Sequence, residues 1–461
     1  MAKHKVSRRE FMRRAGGTAG TSVVAKTIFL DPLPGYAQNT LVAPSDTLRM
    51  GMIGIGEQGA GLLRRAIAHP GIECVAACDL WDGRHTLARE IVGKPIKCTR
   101  HYQELLDDKS IDIIINATPD HWHSRIVVDS CNAGKDIYSE KPMTHDVSEG
   151  FGIIAAAEKN KRIVEIGSGA ADSWTSMKAK ELIASGAIGD VDTIEVSTGR
   201  NTPNGAWDSW MPPPGLSPEN LDWKTWLGDT PRIPFDPIRF VRWRAYRAYG
   251  TGVAGDLMVH LLTALINSAA IKEPPLRAHS TGGLYVFKNH GREYPDVHHA
   301  IFDYPNLHVI VKLMLTCETH ESAKYYGTRG LLEIGGAGGG ARGGGITITP
   351  QDGKDPDPGW YQQGYPKAMR EAYEEQWHLD HDAELAKVKP EPIVYRNSEP
   401  ARGLDHMGIF FEAVRTRNPK IITEHAVFGN NAAIACHMAN ASYFSKSVAV
   451  WDAKARKIRT T

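Results

Sequence analysis

Between Leu48 and Trp81 the chain reads LRMGMIGIGEQGAGLLRRAIAHPGIECVAACDLW, a stretch that leaves the fold little choice. An apolar strand from Met50 to Ile55 enters Gly54-x-Gly56-x-x-Gly59, and a helical period follows. Gly54 permits the tight turn, Gly56 lets the backbone approach a pyrophosphate, and Gly59 lets helix pack on strand, while Ile55 and Gln58 complete the turn at the helix N-terminus. Asp79 ends the next apolar strand, ECVAACD, 20 residues after Gly59, where a carboxylate accepts a ribose hydroxyl. A carboxylate there also repels a 2′-phosphate, so NAD is expected over NADP, although Arg84 nearby keeps NADP open.

Further on, IDIIINATPDHWHSRIVVDSCNAGKDIYSEKPMT alternates strand (Ile111 to Ala117), turn, helix (His123 to Ala133) and strand (Asp136 to Ser139). This rhythm is that of a parallel, doubly wound sheet. Ligands bind beyond the carboxyl ends of such strands. Thr118, Pro119, His121 and Trp122 in one loop, and Glu140 and Lys141 in the next, are therefore expected around the nicotinamide ring. His123 fits a helix-capping role as well.

Two domains are expected from the length. The 54 basic and 53 acidic residues leave a formal charge of +1, which gives no field for nucleic acid or anionic lipid. Six cysteines lack the close paired spacings of a zinc site or a disulfide scaffold. On one strand Cys74 and Cys78 would stand about 13 Å apart, too far to bond. At the N-terminus, Ser7-Arg8-Arg9-x-Phe11-Met12 precedes a weakly apolar stretch to Leu30 and a small-x-small site at Gly35-Tyr36-Ala37. Residues 1–37 thus read as a twin-arginine export signal, which carries proteins already folded, and the expected location is the periplasm. No later run approaches the roughly 18 apolar residues of a membrane helix.

The glycine loop, ATPDHWH and GKDIYSEKPMT together resemble the Gfo/Idh/MocA oxidoreductase family. The resemblance implies a Rossmann domain over 48–168 and, over 169–461, an α+β domain with a large, mostly antiparallel open sheet, one face carrying helices and the other packing into a homo-oligomer. It also places Lys141 at the family's active-site lysine, contacting cofactor and substrate hydroxyl. In GTGVAGDLMVHLLTALI, Asp256 and His260 stand at i and i+4 of an apolar helix, hence on one face. Taken alone they fit a first-turn carboxylate and a core histidine equally. The resemblance makes them, with Lys141, the catalytic set, and Thr263 stands where some members carry an aspartate.

STGGLYVF, HHAIFDYP, LHVIVKLMLT, GLLEI and ITITP suit the second sheet. Between Asn201 and Gly250 stand Trp207, Trp210, Trp223, Trp226 and Trp243, of eleven tryptophans in the chain. Such rings stack on sugars, and packing of a long loop explains them equally. The glycine-rich 335–345 segment reads as a hairpin extension. WHLDHD (Trp377 to Asp382) lies on a solvated helical face, so no metal is expected. HMGIFFEAVRTRNP and HAVFGNNAAIACHMANASYFS are helices expected to return to the nucleotide domain.

The combined expectation is an NAD-dependent carbohydrate or polyol oxidoreductase in which His260 takes the hydroxyl proton, Asp256 orients substrate or histidine, and Lys141 steadies oxyanion charge. Export with a retained cofactor requires each hydride removed to be returned. That condition also admits an NAD-dependent glycosidase working by oxidation, elimination, addition and reduction. A noncatalytic nucleotide-bound sugar sensor is the remaining alternative.

Overall fold

The structure is a computed structural model that describes residues 26–30, 46–335, 344–386, 391–397 and 405–461. Six strands form an all-parallel sheet in the spatial order Lys97–Thr99, Ile72–Cys78, Leu48–Ile53, Ile113–Asn116, Asp136–Glu140, Val164–Gly167. Its central strands are mostly apolar, with Met50–Ile53 and Ile113–Asn116 buried, as a sheet covered by helices on each side requires. The chain order reverses at Leu48–Ile53, whose neighbours are the second and the fourth strands of this sheet in sequence. That switch point opens a crevice at the carboxyl ends. The helix after Ile113–Asn116 begins at Asp120 rather than at the expected His123.

The second sheet has eleven strands, ordered Lys26–Leu30, Ile393–Asn397, Ile346–Pro350, Gly330–Ile334, Thr319–Gly327, Val191–Gly199, Leu307–Met314, Val297–Tyr304, Arg277–Gly283, Ala449–Asp452, Lys457–Thr460. Two of its pairings are parallel, Lys26–Leu30 with Ile393–Asn397 and Leu307–Met314 with Val191–Gly199. The others are antiparallel. Alternating residues such as Val309, Val311 and Leu313 face the helices Trp174–Ala184, Val259–Ser268 and Ala426–Ser445. The opposite face carries ion pairs such as Lys312–Glu195 and Lys324–Glu333.

The returning helices behave as the sequence implies. Met407, Phe410, Phe411 and Val414 of His406–Thr416 share a core with Met50, Ile113 and Tyr138 of the parallel sheet. Gly330–Ile334 and Ile346–Pro350 pair as a hairpin around the glycine-rich segment, whose residues 336–343 lie outside the described residues. Within the N-terminal 37 residues, Lys26–Leu30 forms an edge strand, and the arginine pair lies outside the described residues. All six cysteines are free, including Cys74 and Cys78 on one strand. Among the described residues no helix is long and apolar enough to cross a membrane.

Candidate active site

A cleft of about 1710 Å³ lies between the carboxyl ends of the parallel sheet and the first helices of the second domain. Drug-sized pockets run to roughly 300–1,000 Å³, so there is room for a dinucleotide and a second molecule. Gly54 has φ of +83° and a Cβ there would fall 2.7 Å from the Ala117 carbonyl oxygen. At Gly59 a Cβ would meet the Gly54 carbonyl oxygen at 2.0 Å, so only glycine lets helix Glu57–Ala68 seat against the loop. A Cβ at Gly56 would have the Arg84 guanidinium 3.5 Å away as its nearest neighbour, so this backbone faces the cleft. The cradle fits a pyrophosphate at a helix N-terminus.

Asp79 lines the same cleft, and its Oδ2 accepts the Ile55 N–H at 2.8 Å while Oδ1 accepts the Trp81 N–H at 3.0 Å. It therefore braces the glycine turn at the cleft wall. Arg84 stands 3.4 Å from Oδ2 and lies over the Phe240 ring, so carboxylate and guanidinium occupy the same corner. Gln58 donates to Glu140 at 2.6 Å across the cleft floor. Thr118, Pro119 and Trp122 line the wall.

His121 does not line the cleft. The earlier start of helix Asp120–Asn132 turns its ring toward the second domain, where its nitrogens meet the carbonyls of Trp226 at 2.8 Å and Tyr249 at 3.2 Å. Burial pushes its pKa down to about 4, so the ring is neutral and donates to one of the two carbonyls, anchoring the helix start on the second domain. His123, also buried, ties the two site loops together through the Thr118 and Pro142 carbonyls.

Lys141, from the nucleotide side, donates from Nζ to Oδ1 of Asp256 at 3.0 Å and to its carbonyl oxygen at 2.9 Å. Asp256 sits in a π-helical turn, Ala254–Met258, that runs into helix Val259–Ser268. Such turns widen a helix and re-aim side chains, and they recur at functional sites. Arg244, which the sequence did not single out, donates to the same Oδ1 at 3.0 Å. Burial would raise the Asp256 pKa, but the charges of Lys141 and Arg244 win and hold it well below the usual carboxylate range.

Asp256 therefore pairs with two cations, while His260 Nδ1 meets Ser168. Thr263 Oγ1 donates to the His260 carbonyl at 3.1 Å, the Ser168 and Thr263 hydroxyls lie 2.7 Å apart, and Ser168 Oγ is 3.0 Å from His260 Nδ1. One arrangement that satisfies all three contacts has Thr263 donating to the carbonyl and Ser168 donating to Thr263 while accepting from Nδ1–H, which leaves Nε2 as the basic nitrogen.

Four of the five clustered tryptophans, Trp207, Trp210, Trp226 and Trp243, line the cleft. Arg244 lies 4.3 Å from the Trp243 ring centroid and 5.5 Å from that of Trp207, so cation–π contacts hold it over the site. Trp223 instead stacks on Trp226 at 4.7 Å within a small aromatic core.

At the edge of the cleft Glu165, Asp172 and His406 gather from strand Val164–Gly167, the loop after it and the start of helix His406–Thr416. The sequence reading missed all three. A glutamate inside the apolar run RIVEIG was the available signal, because an unpaired charge is seldom buried in a parallel strand. Burial lifts Glu165 to about 8 against the pull of His406. Against its own burial, His406 is raised to about 10 by Glu165, Asp172 and Glu424.

Comparison with known proteins agrees with this geometry. Residues 48–168 match the Gfo/Idh/MocA oxidoreductase family, NAD-binding Rossmann fold. Inositol 2-dehydrogenase of Salmonella paratyphi B is 34% identical over 145 residues, 31% of this chain and 43% of its own length. Alpha-N-acetylgalactosaminidase of Shewanella oneidensis is 31% identical over 176 residues, 34% of this chain and 38% of its own length. The chain thus spans about two fifths of the length of the curated relatives it matches. The aldose-aldose oxidoreductase of Caulobacter crescentus, in complex with glycerol, shares the fold with a TM-score of 0.58 at 16% identity, covering 88% of this chain and 99% of that one. The strand, glycine turn, helix and acidic strand end coincide with the matched span, and residues 48–168 accordingly carry the NAD-binding Rossmann fold of the Gfo/Idh/MocA oxidoreductase family.

Proposed function

We propose that the protein transfers hydride between a carbohydrate or polyol carbon and a nicotinamide cofactor held in the cleft. The observation that carries this reading is the meeting of Lys141, from the nucleotide sheet, with Asp256 of the second domain, 115 positions away, in the cleft that His260 also lines. Gly54, Gly56 and Gly59 with Asp79 would hold the cofactor, and bound NAD supplies the hydride acceptor. His260 takes the substrate hydroxyl proton at Nε2, with Ser168 and Thr263 fixing the tautomer. An imidazole has an ordinary pKa near 6.5, suited to such a transfer. Lys141 faces the same hydroxyl oxygen and steadies the charge that develops there. Asp256 holds Lys141 and Arg244 in place, and the tryptophan faces present apolar surface to the substrate ring.

Export with the cofactor in place is part of the reading, supported by the Arg8-Arg9 pattern. Replacing both arginines by lysine should then leave the precursor in the cytoplasm, and periplasmic accumulation of that variant would overturn it. A second reading, redox-neutral glycoside cleavage, is favoured by the similarity to the Shewanella glycosidase. Denaturing the purified protein, assaying released nucleotide, and following the reduced-nicotinamide absorbance on adding sugars and glycosides tests both readings. Absorbance change with free sugars supports net transfer. Glycoside cleavage with no lasting absorbance change supports the second. Neither response to any sugar would leave the sensor alternative.

A further inference from the structure

The Glu165 cluster has chemistry that the proposed hydride transfer does not use. His406 Nε2 lies 3.2 Å from the Ile166 carbonyl oxygen and therefore donates to it, which turns Nδ1 toward two carboxylates. Nδ1 is 2.6 Å from Asp172 Oδ2 and 3.1 Å from Glu165 Oε1. Glu165 is fully buried, and neither of its oxygens has a hydrogen-bond partner; Oε2 of Glu424, also fully buried, has none either. An orphaned buried polar group is costly, the more so when charged.

A proton on Nδ1 would satisfy one carboxylate oxygen, that of Asp172, and leave Glu165 unpaired. A divalent cation would take donor atoms from all three side chains at once. One nitrogen and two carboxylate oxygens are the donor set of a borderline-hard ion. The backbone carbonyl on Nε2 is the second partner that metal-binding histidines characteristically have. The three ligand atoms lie within 4.8 Å of one another. Donors about 2.0–2.1 Å from a tetrahedral zinc stand roughly 3.3 Å apart, so the close His406–Asp172 pair must open by about 0.7 Å and the widest pair close by at most about 1.5 Å. Asp172 and His406 line the cleft, which supplies an entry path and leaves the remaining coordination positions open to water or a ligand oxygen. We propose that Glu165, Asp172 and His406 form a binding site for a divalent transition-metal ion of the zinc or manganese kind at the edge of the cleft.

The test uses the full-length protein, equilibrated with Zn²⁺, dialysed against metal-free buffer and analysed for zinc. The expected result is about one zinc per chain for the parent, with Glu165→Gln and Asp172→Asn each reduced at least about tenfold. His378→Gln, which removes an exposed histidine paired with Asp382, should keep the parental content. Circular dichroism identifies any variant that fails to fold. Asp172→Asn, at the cleft surface, decides the matter if the buried Glu165→Gln variant does not fold. A parent that retains only trace zinc would overturn the site in favour of an imidazolium at His406. Unchanged zinc in folded Asp172→Asn would overturn it as well.

Discussion

The two walls of the cleft are built by different means. On the nucleotide side the backbone does the shaping: Gly54, Gly56 and Gly59 clear space for a ligand and a helix, and the one prominent side chain, Asp79, braces that backbone. On the other side long side chains do it, with Arg244 laid over Trp243 and Trp207 and pinned, like Lys141, to the carboxylate of Asp256. A wall made of backbone tolerates little change at its glycines and much elsewhere. A wall made of side chains should lose function in graded steps, one contact at a time.

The sharpest test of that contrast is Gly59→Ala. A Cβ 2.0 Å from the Gly54 carbonyl oxygen must displace helix Glu57–Ala68 or the turn, at a cost of about 1–3 kcal/mol. Nearly complete loss of copurified nucleotide is expected, read by denaturing the protein and assaying the supernatant. Retention at the parental level would break the comparison.

Lys141→Ala comes next. Turnover should fall about 10²–10⁴-fold, and Asp256 is left with Arg244 as its one remaining cationic partner of this pair. Removing a charge-assisted hydrogen bond should destabilise the fold by about 2 kcal/mol. Because the native Asp256 carboxyl is held below its ordinary range, its ion pair stabilises the protein above the unfolded carboxylate pKa and is lost as pH falls through the lower, folded value. The stability gap between parent and variant should therefore be widest above about pH 5 and narrow below about pH 4. Denaturant titrations at several pH values measure it, and a gap that grows in acid would contradict the assignment.

Asp79→Ala should have a smaller effect of two kinds. Loss of the Ile55 N–H acceptor weakens either nucleotide, and loss of the ribose acceptor and its negative charge moves preference from NAD toward NADP by about tenfold. Arg84 in the same corner favours that shift. Fluorescence titration with each nucleotide reads both effects. An unchanged ratio would place Asp79 in a purely structural role.

Thr263→Val should have the smallest effect. Losing the hydroxyl that directs Ser168 relaxes the His260 tautomer by about one hydrogen bond, near 1 kcal/mol, or roughly fivefold in kcat with KM little changed. Thr263→Ser should restore it. A change in KM alone would assign Thr263 to substrate binding instead.

The same contrast explains what could be read from the sequence. Gly54, Gly56, Gly59 and Asp79 lie within one strand–turn–helix–strand unit, where spacing carries the geometry, and they were legible. Lys141, Asp256 and His260 were legible only through a longer resemblance, and the i,i+4 argument was incomplete: the turn holding Asp256 is π-helical, and His260 Nδ1 takes Ser168 as a partner rather than Asp256. Arg244 and the Glu165, Asp172, His406 cluster join elements up to 241 positions apart through side-chain packing, so no local period marks them. His121 failed for the opposite reason, since its motif position was right but a helix start three residues earlier turned it away from the cleft. Thr319–Gly327 was missed because it is polar and partly exposed, and Ile393–Asn397 because it is short and only half-buried, so that neither shows clear alternation.

Cofactor retention by the glycine turn with Asp79 and proton chemistry by Lys141 and His260 are separable tasks of the cleft. This separation is tested most directly by comparing nucleotide content and turnover in His260→Ala, Lys141→Ala and the double variant of the full-length protein, on any substrate the parent converts. Parental nucleotide content is expected in all three, with turnover reduced about 10²–10⁴-fold in each single variant and little further loss in the double. Near-normal turnover in both single variants, or loss of nucleotide along with activity, would contradict it.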